Sequence, residues 1–271
     1  VVFCDVDLET FNLTADLIEP HINAKTKAIV PVHLYGQSCE MEPIINLAKK
    51  YDLKIVEDNA QAIGCKYTFP NGAVKYTGTL GDIGTTSFYP SKNLGCYGDG
   101  GAIFSNNNDL SDKVRMIVNH GEKIKYHHEI VGCNSRLDSI QAEILNIKLK
   151  FLDDYNSNRK IMASNYNEAF DKINQIKTPK VILNSDHVYH QYTLRILNGK
   201  RDELKSYLND LGIPSMIYYP IPIHKQIAYA NNQNLKNTDI LSKEVISLPI
   251  HTELENSNQE YIVEKVIKFF R

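Results

Sequence analysis

The chain has 271 residues, of which 42% are hydrophobic and 23% are charged, and its formal net charge is −2. This length allows one large domain or two modest ones, and the composition is that of an ordinary globular protein. A charge so near zero argues against electrostatic binding of nucleic acid or of an anionic membrane. No apolar run reaches the length of a membrane-spanning helix, so no membrane partner is expected.

The cysteines indicate a reducing compartment. Their number is odd, no two form a CxxC pair, and they are scattered along the chain as Cys4, Cys39, Cys65, Cys96 and Cys133. We therefore expect a cytoplasmic protein whose cysteines are small buried hydrophobic residues. His127 and His128 lack the spacing and the acid or thiol partners of a metal site, so no metal is predicted.

In chain order, the first segments alternate between strand-like and helix-like patterns. Residues 1–6 and 28–35 predict strands, and the near-continuous apolar run 28–35 is typical of a strand buried on both faces. Helices are predicted over residues 14–22 and 41–51, and a further strand over residues 53–58. Strand, helix and strand joined by short loops form a βαβ unit, so an α/β fold with a mostly parallel sheet is expected.

Two more strands, over residues 85–89 and 102–105, are predicted on either side of a glycine-rich loop. A helix capped by Asn108 or Asp109 should follow and run to about residue 119. The next stretch, residues 120–134, has no periodic pattern and predicts an irregular segment.

The longest helical pattern spans residues 136–171 and should break near Asp153 and Asp154. We place a domain boundary there, with residues 1–153 in a large domain and residues 154–271 in a smaller α+β C-terminal domain. Residues 187–196 alternate as in an antiparallel strand. Later helices are predicted over residues 202–211, 238–246 and 258–270.

The glycine-rich loop contains Lys92, which follows the strand-like run 85–89. Burial near apolar and aromatic residues lowers the pKa of a lysine. A lysine with a lowered pKa can form a Schiff base. The alternative is a surface lysine, which most lysines are, and Lys92 taken alone favours that alternative.

Asp58 ends the predicted strand 53–58. Ligands of open α/β sheets bind at the carboxyl ends of the strands, so Asp58 and Lys92 can face one pocket. Pyridoxal phosphate needs such a pair, since a lysine holds its aldehyde and a carboxylate keeps its ring nitrogen protonated. Alternatively, Asp58 is a helix cap or a member of a structural ion pair.

The surrounding motifs resemble those of the pyridoxal-phosphate-dependent nucleotide-sugar aminotransferases, the DegT/StrS family. The motifs, in the family's order, are Glu-Asp-Asn-Ala-Gln-Ala at 57–62, Gly-Asp-Ile-Gly at 81–84, Ser-Phe-Tyr-Pro-Ser-Lys-Asn at 87–93, Tyr-Gly-Asp-Gly-Gly-Ala at 97–102, Asn-His-Gly at 119–121 and Asn-Ser-Arg-Leu-Asp at 134–138. The resemblance covers the whole chain and implies the aspartate aminotransferase fold, fold type I, with a large and a small domain.

The resemblance also implies roles for individual residues. Lys92 would be the Schiff-base lysine and proton shuttle, Asp58 the partner of the ring nitrogen, Gln61 a contact of the ring or its hydroxyl, and Ser87 a phosphate ligand. Asn134 would reach the phosphate in the neighbouring subunit's site, which implies an obligate homodimer with shared active sites. Family members that are dehydratases carry histidine in place of the lysine, so Lys92 argues against that branch.

The sequence departs from the family pattern at its beginning. Family members carry an earlier Ser-Gly-Thr phosphate loop, whereas this sequence opens inside a strand-like run without an initiator methionine. We expect that an N-terminal portion precedes Val1. The alternative is an inactive remnant that starts at Val1.

Among family members, the sequence looks most like the aminotransferases of UDP-linked 3-keto-uronic acids, which serve bacterial surface polysaccharide synthesis such as that of O-antigen. Arg136 is the candidate for binding the uronate carboxylate. An ion pair of Arg136 with Asp138 or Glu143 is an alternative role of equal weight. Tyr218 and Tyr219 are expected to line the sugar pocket or to serve packing. His224 is a weaker candidate and is expected at the surface.

The resemblance implies ping-pong transfer of an amino group from glutamate to a UDP-2-acetamido-3-keto-hexuronic acid. Two alternatives stay open: an aminotransferase for a 4-keto-6-deoxy sugar nucleotide, and a non-catalytic regulatory relative of the same fold. A Rossmann-type nucleotide binder is disfavoured because no GxGxxG motif follows the first strand.

Overall fold

The computed structural model describes residues 1–271. Its eight α-helices are α1 (Ala15–Ile18), α2 (Met41–Lys50), α3 (Asn108–Val118), α4 (Ser139–Leu149), α5 (Leu152–Phe170), α6 (Arg201–Asp210), α7 (Lys236–Glu244) and α8 (Asn256–Phe270). Its eleven strands are β1 (Ala28–Ile29), β2 (Lys54–Asp58), β3 (Lys66–Thr68), β4 (Val74–Tyr76), β5 (Ile83–Ser87), β6 (Gly101–Phe104), β7 (Glu122–Ile124), β8 (His127–His128), β9 (Ile176–Lys177), β10 (Tyr192–Ile196) and β11 (Val245–Leu248). None of these helices combines the length and the apolar character that crossing a membrane requires.

The first half of the chain is organised around a four-stranded sheet with the order β1-β2-β5-β6. β1, β2 and β5 run parallel, and β6 pairs antiparallel with β5. Helix α2 packs on this sheet because its Ile44 and Leu47 share one face and join a buried cluster with Ile29 and Ile55. The mostly parallel α/β arrangement predicted from the sequence is therefore confirmed.

The second half of the chain forms an antiparallel sheet with the order β11-β10-β9. Its core is a cluster of 17 buried hydrophobic residues, which extends from Met162 on α5 to Val266 on α8. Helices α5, α6 and α8 cover this sheet, so the C-terminal part has the α+β character that the sequence predicts. A domain boundary at residue 153 stays a prediction.

Two strand predictions near the start of the chain are wrong. Residues 1–6 form no strand, and the run 28–35 contains only the two-residue β1 before a turn at Leu34–Gly36. Pro31 lies within that run and has no N–H to donate to β2, which interrupts the pairing before a single bridge between Val32 and Asp58. Val30 is 54% exposed rather than buried on both faces.

Further corrections concern later elements. Residues 120–134 are not wholly irregular, since β7 and β8 form a short antiparallel hairpin there. The long helical pattern breaks at residues 150–151, between α4 and α5, slightly before the predicted place. The strand predicted over residues 187–196 begins only at Tyr192, because Tyr189 has a left-handed φ of 45° that interrupts an extended backbone. Asn107, not Asn108 or Asp109, caps α3 through the Leu110 amide.

Candidate active site

The site is built at the carboxyl ends of β2 and β5. Asp58 is the last residue of β2 and lies opposite Thr85 of β5. Its amide donates to the Pro31 carbonyl (2.9 Å) and its carbonyl accepts from the His33 amide (3.0 Å), which fixes the backbone on both sides. The Asp58 Oδ1 accepts from the Ala60 amide at 3.0 Å, which leaves Oδ2 available to a ligand.

Lys92 lies in a loop that is anchored on several sides. The Lys92 amide donates to the Tyr89 carbonyl at 2.9 Å and closes a turn. The next side chain, Asn93, is buried and donates to Asn156 Oδ1 (2.7 Å) and to the Val188 carbonyl (3.0 Å). A Cβ atom on Gly95 would stand 2.5 Å from the Pro90 carbonyl oxygen, so this turn needs glycine. The loop therefore holds Lys92 in a fixed place.

The electrostatics of Lys92 reflect its position. Burial lowers the pKa of Lys92, and the nearby Asp58 carboxylate partly opposes that effect by favouring the ammonium form. The net pKa lies below the ordinary value for lysine. This is the direction that the sequence predicts for a lysine at a strand end.

One cavity of about 1350 Å³ brings together five of the residues that sequence reasoning selected. Asp58, Gln61 and Lys92 line it together with Tyr218 and Tyr219, which come from the loop after α6. Burial raises the pKa of Tyr219, and the Gln61 side chain lowers it while Asp58 raises it further. Tyr219 therefore lies within electrostatic reach of the pair predicted to bind the cofactor ring.

The other predicted residues lie outside the lining of this cavity. Ser87 ends β5, is half-buried, and accepts from the Tyr89 amide at 3.2 Å. Asn134 is exposed and pairs with Asn119 through an isolated bridge, and Arg136 is exposed. Their assignments to phosphate and carboxylate stay predictions.

His224 differs from its expected surface position. It is only 2% exposed, and its Nε2 lies 3.5 Å from Asp239 Oδ1. Its ring is thus packed between the loop after Tyr219 and helix α7, where it holds the two together.

Sequence reasoning missed Tyr35, which lines the same cavity. Its backbone has a left-handed φ of 59° and its side chain is 3% exposed. The Tyr35 amide donates to Gln61 Oε1 at 2.6 Å, and its hydroxyl donates to the Tyr218 carbonyl. Gly36 was the only hint in the sequence that the apolar run ends in a turn here.

The sequence also gives no sign of His190, because the alternating pattern of residues 187–196 predicts a regular strand. Burial lowers the pKa of His190 to about 3, and the positive charges of Lys92 and Arg159 add to this effect. The imidazole is therefore neutral at physiological pH. Arg159 donates to the His190 and Tyr189 carbonyls and fixes this segment beside Lys92.

The side chains in the cavity fit the requirements of pyridoxal phosphate. An amine with a lowered pKa, a carboxylate with a free oxygen and a side-chain amide face the same space. These are the groups that bind the aldehyde, the ring nitrogen and the ring hydroxyl of that cofactor.

Comparison with known proteins gives a consistent result. A profile of the DegT/DnrJ/EryC1/StrS aminotransferase family matches residues 1–267. The pleiotropic regulatory protein of Geobacillus stearothermophilus is 45% identical, over 100% of this chain and 72% of that protein. The UDP-2-acetamido-2-deoxy-3-oxo-D-glucuronate aminotransferase of Pseudomonas aeruginosa is 40% identical, over 96% of this chain and 71% of that protein. Among solved structures, DesV of S. venezuelae in complex with a ketimine intermediate has a TM-score of 0.92 and 36% identity, with coverage of 98% of this chain and 71% of that one.

Proposed function

The chain belongs to the DegT/DnrJ/EryC1/StrS aminotransferase family, and from this premise we propose that it moves an amino group from glutamate to a UDP-2-acetamido-3-keto-hexuronic acid. The observation that carries the proposal is the cavity in which Asp58, Gln61 and Lys92 meet Tyr218 and Tyr219. The product would serve the synthesis of a bacterial surface polysaccharide.

Family membership confirms the coarser predictions. The chain is a nucleotide-sugar aminotransferase of fold type I, and pyridoxal phosphate is its cofactor. The roles of individual residues and the particular sugar belong to the proposal.

In the proposal, three side chains hold the cofactor ring. Lys92 holds the aldehyde, Asp58 pairs with the ring nitrogen, and Gln61 contacts the ring or its hydroxyl. Ser87 binds the phosphate from the end of β5. When bound, pyridoxal phosphate supplies a protonated ring that accepts the electron pair left when the substrate's Cα–H bond breaks.

Lys92 has a second role, as the base that moves the substrate proton. Because burial lowers its pKa, a larger fraction of the amine is unprotonated at neutral pH than for a surface lysine. Once glutamate has displaced Lys92 from the aldehyde, Lys92 would take the proton from glutamate Cα and pass it to the cofactor in the first half of the cycle. In the second half Lys92 would take a proton back from the cofactor and give it to the sugar carbon. Neutral His190 adds no further positive charge beside it.

The identity of the sugar is proposed from the residues expected to bind it and from a named relative. Tyr218 and Tyr219 line the cavity together with the cofactor residues and supply aromatic side chains that a sugar ring can pack against. The Pseudomonas aeruginosa relative carries the name of a 3-oxo-glucuronate aminotransferase, which supports a uronic acid. Arg136, which lies outside the lining of this cavity within one chain, is the residue proposed to bind the carboxylate through a bidentate contact.

A second copy of the chain completes the proposed site. The segment from β7 to α4 exposes large apolar side chains, including Ile124 (67%), Tyr126 (78%), Val131 (97%) and Ile140 (74%). A concentration of large exposed apolar side chains on one segment is typical of a protein–protein interface. It supports a homodimer in which Asn134 on this segment contacts the phosphate in the partner's site.

One alternative function has a specific observation in its favour. The Geobacillus stearothermophilus relative is named a pleiotropic regulatory protein, and it is 45% identical to this chain. A regulatory protein of this fold would retain the cofactor residues without turning over a sugar nucleotide.

A product assay tests the proposal and separates these alternatives. Purified protein with pyridoxal phosphate and ¹⁵N-glutamate is offered a UDP-linked 3-keto-uronic acid or a dTDP-linked 4-keto-6-deoxy sugar. We expect ¹⁵N in the aminated 3-keto-uronic acid, and its loss in Lys92→Ala. Faster labelling of the 4-keto-6-deoxy sugar would overturn the substrate proposal. Labelling of neither sugar would also overturn the substrate proposal, and it would favour the regulatory function only if the holoenzyme also converted no glutamate to 2-oxoglutarate.

A further inference from the structure

We propose that Tyr35 is a positioning residue that fixes the substrate loop, residues 218–222, over the cofactor end of the cavity. This inference rests on the proposed function for its consequences in catalysis. Its structural basis is a set of contacts that join two distant parts of the sequence at one side chain.

Tyr35 contacts the cofactor side of the cavity through its backbone. Its amide donates to Gln61 Oε1 at 2.6 Å, and its carbonyl accepts from the Gln191 amide at 3.2 Å. Both contacts depend on the left-handed backbone at Tyr35, which is costly for a residue with a bulky side chain. The surroundings therefore hold Tyr35 in a conformation that it would not adopt on its own.

The next residue keeps this conformation in place. Gly36 has a φ of 105°, and a Cβ atom there would stand 2.9 Å from the Tyr189 and His190 amide nitrogens. The Gly36 carbonyl accepts from the Val188 amide at 2.8 Å. The turn Leu34–Gly36 is thus clamped against the segment that carries His190.

Tyr35 contacts the substrate side of the cavity through its side chain. Its hydroxyl donates to the carbonyl of Tyr218, 183 residues further along the chain. Burial raises the pKa of Tyr35, so the hydroxyl remains protonated and able to donate throughout the physiological range. Phe11 packs edge-on against the Tyr35 ring, with centroids 5.5 Å apart, and fixes its direction.

Other contacts of this loop are mostly packing or lie further along the chain: Tyr218 packs against the cluster that contains Phe11 and Tyr35, and Gln226 donates to the Ile221 carbonyl at 3.4 Å. Tyr219 is 56% exposed and Ile221 is 50% exposed, and Pro220 and Pro222 have no N–H to donate. The nearest ordered anchor on the N-terminal side is Met216, whose backbone pairs with Ser247. The Tyr35 hydroxyl therefore provides a specific restraint at the point where the loop enters the cavity.

A fluorescence experiment tests the restraint without cofactor or substrate. The chain contains no tryptophan, so Ile221→Trp introduces a single reporter on the loop. In that background, Tyr35→Phe removes the hydroxyl and keeps the ring and the backbone contact with Gln61. We expect acrylamide to quench the reporter about twofold faster, since loss of one hydrogen bond frees the loop.

Tyr166→Phe is the matched control. Tyr166 is also fully buried, and its hydroxyl donates to the Pro249 carbonyl at 3.0 Å, but it does not line the cavity. We expect no change in quenching for this variant. Equal quenching in Tyr35→Phe and in the parent, or an equal rise in both variants, would overturn the proposal.

A second variant covers the case in which Tyr35→Phe does not fold, which circular dichroism detects. Phe11→Leu keeps the hydroxyl and removes the ring that directs it, so quenching should rise in this variant as well. No rise would mean that the direction of the Tyr35 ring does not set the loop, and it too would overturn the proposal.

Kinetics on the holoenzyme give the functional consequence. Tyr35→Phe should raise the KM for the nucleotide keto-sugar about tenfold, the factor that corresponds to one hydrogen bond, with kcat within about twofold. Cofactor absorbance should be unchanged because the Gln61 contact comes from the backbone. An unchanged KM, or a tenfold fall in kcat with no change in KM, contradicts the positioning role. If the chain has no aminotransferase activity, the quenching result still decides whether Tyr35 restrains the loop.

Discussion

The Nε2 atom of His33 lies 2.8 Å from the Oε2 atom of Glu57, and both side chains are completely buried. The Cys39 amide donates to His33 Nδ1 at 3.1 Å, so Nε2 carries the proton and donates to the carboxylate. Glu57 also accepts from the amides of Gly78, Leu80 and Gly81 at 2.6–2.8 Å. Since Glu57 immediately precedes Asp58 in β2, this network fixes the strand end that presents Asp58 to the cavity.

The first prediction concerns the stability that this network provides. Glu57→Gln keeps the size of the side chain but places an NH₂ group against groups that themselves donate. We expect the free energy of unfolding to fall by about 3 kcal/mol, measured by urea denaturation. Glu19→Gln, which removes an exposed pair with Lys50, should change it little. Equal effects of the two substitutions would contradict the importance of the buried network.

The second prediction is the pH dependence of the same network. Burial alone would raise the pKa of Glu57, but the His33 contact and the Gly81 and Gly78 amides lower it below its ordinary value. The charged form is therefore favoured in the folded state. The resulting stability is present above the unfolded pKa of about 4.3 and is lost as pH falls through the folded pKa.

Urea denaturation of the wild type and of Glu57→Gln at pH values from about 3 to about 7 measures this effect. The difference in stability between the two proteins should shrink as the pH falls below about 4.3. A constant difference across the range would show that Glu57 does not titrate with a lowered pKa.

The third prediction isolates the effect of Asp58 on Lys92. Asp58→Asn removes the negative charge that favours the Lys92 ammonium form, so the pKa of Lys92 should fall further below its ordinary value. The pH dependence of Lys92 acylation, followed by mass spectrometry on cofactor-free protein, reports this pKa. Asp99→Asn removes an exposed carboxylate of the same loop region and serves as the control. A rise in the Lys92 pKa in Asp58→Asn would contradict the described geometry.

The fourth prediction concerns Arg159, which is 7% exposed. Its Nη1 donates to the carbonyls of Tyr189 (3.0 Å), His190 (3.4 Å) and Ile250 (3.0 Å). Burial lowers the pKa of Arg159 to about 10, which still leaves it charged at neutral pH.

Arg159→Met leaves these carbonyls without their donor and should lower the free energy of unfolding by about 3 kcal/mol in urea denaturation. Arg115→Met, at an exposed position of α3, should have almost no effect. A stable Arg159→Met protein would mean that water or backbone rearrangement satisfies the carbonyls instead.

Sequence patterns were sufficient to predict the elements whose structure is determined by neighbouring residues in the chain. Helix α2 follows from the spacing of Ile44 and Leu47, and β2 follows from a short apolar run that ends in acid residues. Asp58 and Lys92 could be paired from sequence because parallel strands end at the same edge of a sheet. The sequence motifs around these two residues were sufficient to identify the family.

The remaining features depend on contacts between distant residues, which no local pattern encodes. The segment at the start of the chain is irregular because its polar groups bond to later residues, as Asp5 does with the Asn237 and Thr238 amides at 2.8 Å. Tyr35 could not be recognised because its partner, Tyr218, lies 183 residues away. His190 was hidden because the left-handed backbone of Tyr189 could not be foreseen from an alternating pattern.

The most direct test of the central proposal, that Lys92 holds the cofactor in this cavity, is chemical mapping of that bond. Protein incubated with pyridoxal phosphate is reduced with borohydride, digested and analysed by mass spectrometry. We predict a stable cofactor adduct on the peptide that contains Lys92, and its absence in Lys92→Ala. An adduct on another lysine only, or unmodified Lys92 in a protein that retains amino transfer, would contradict the account.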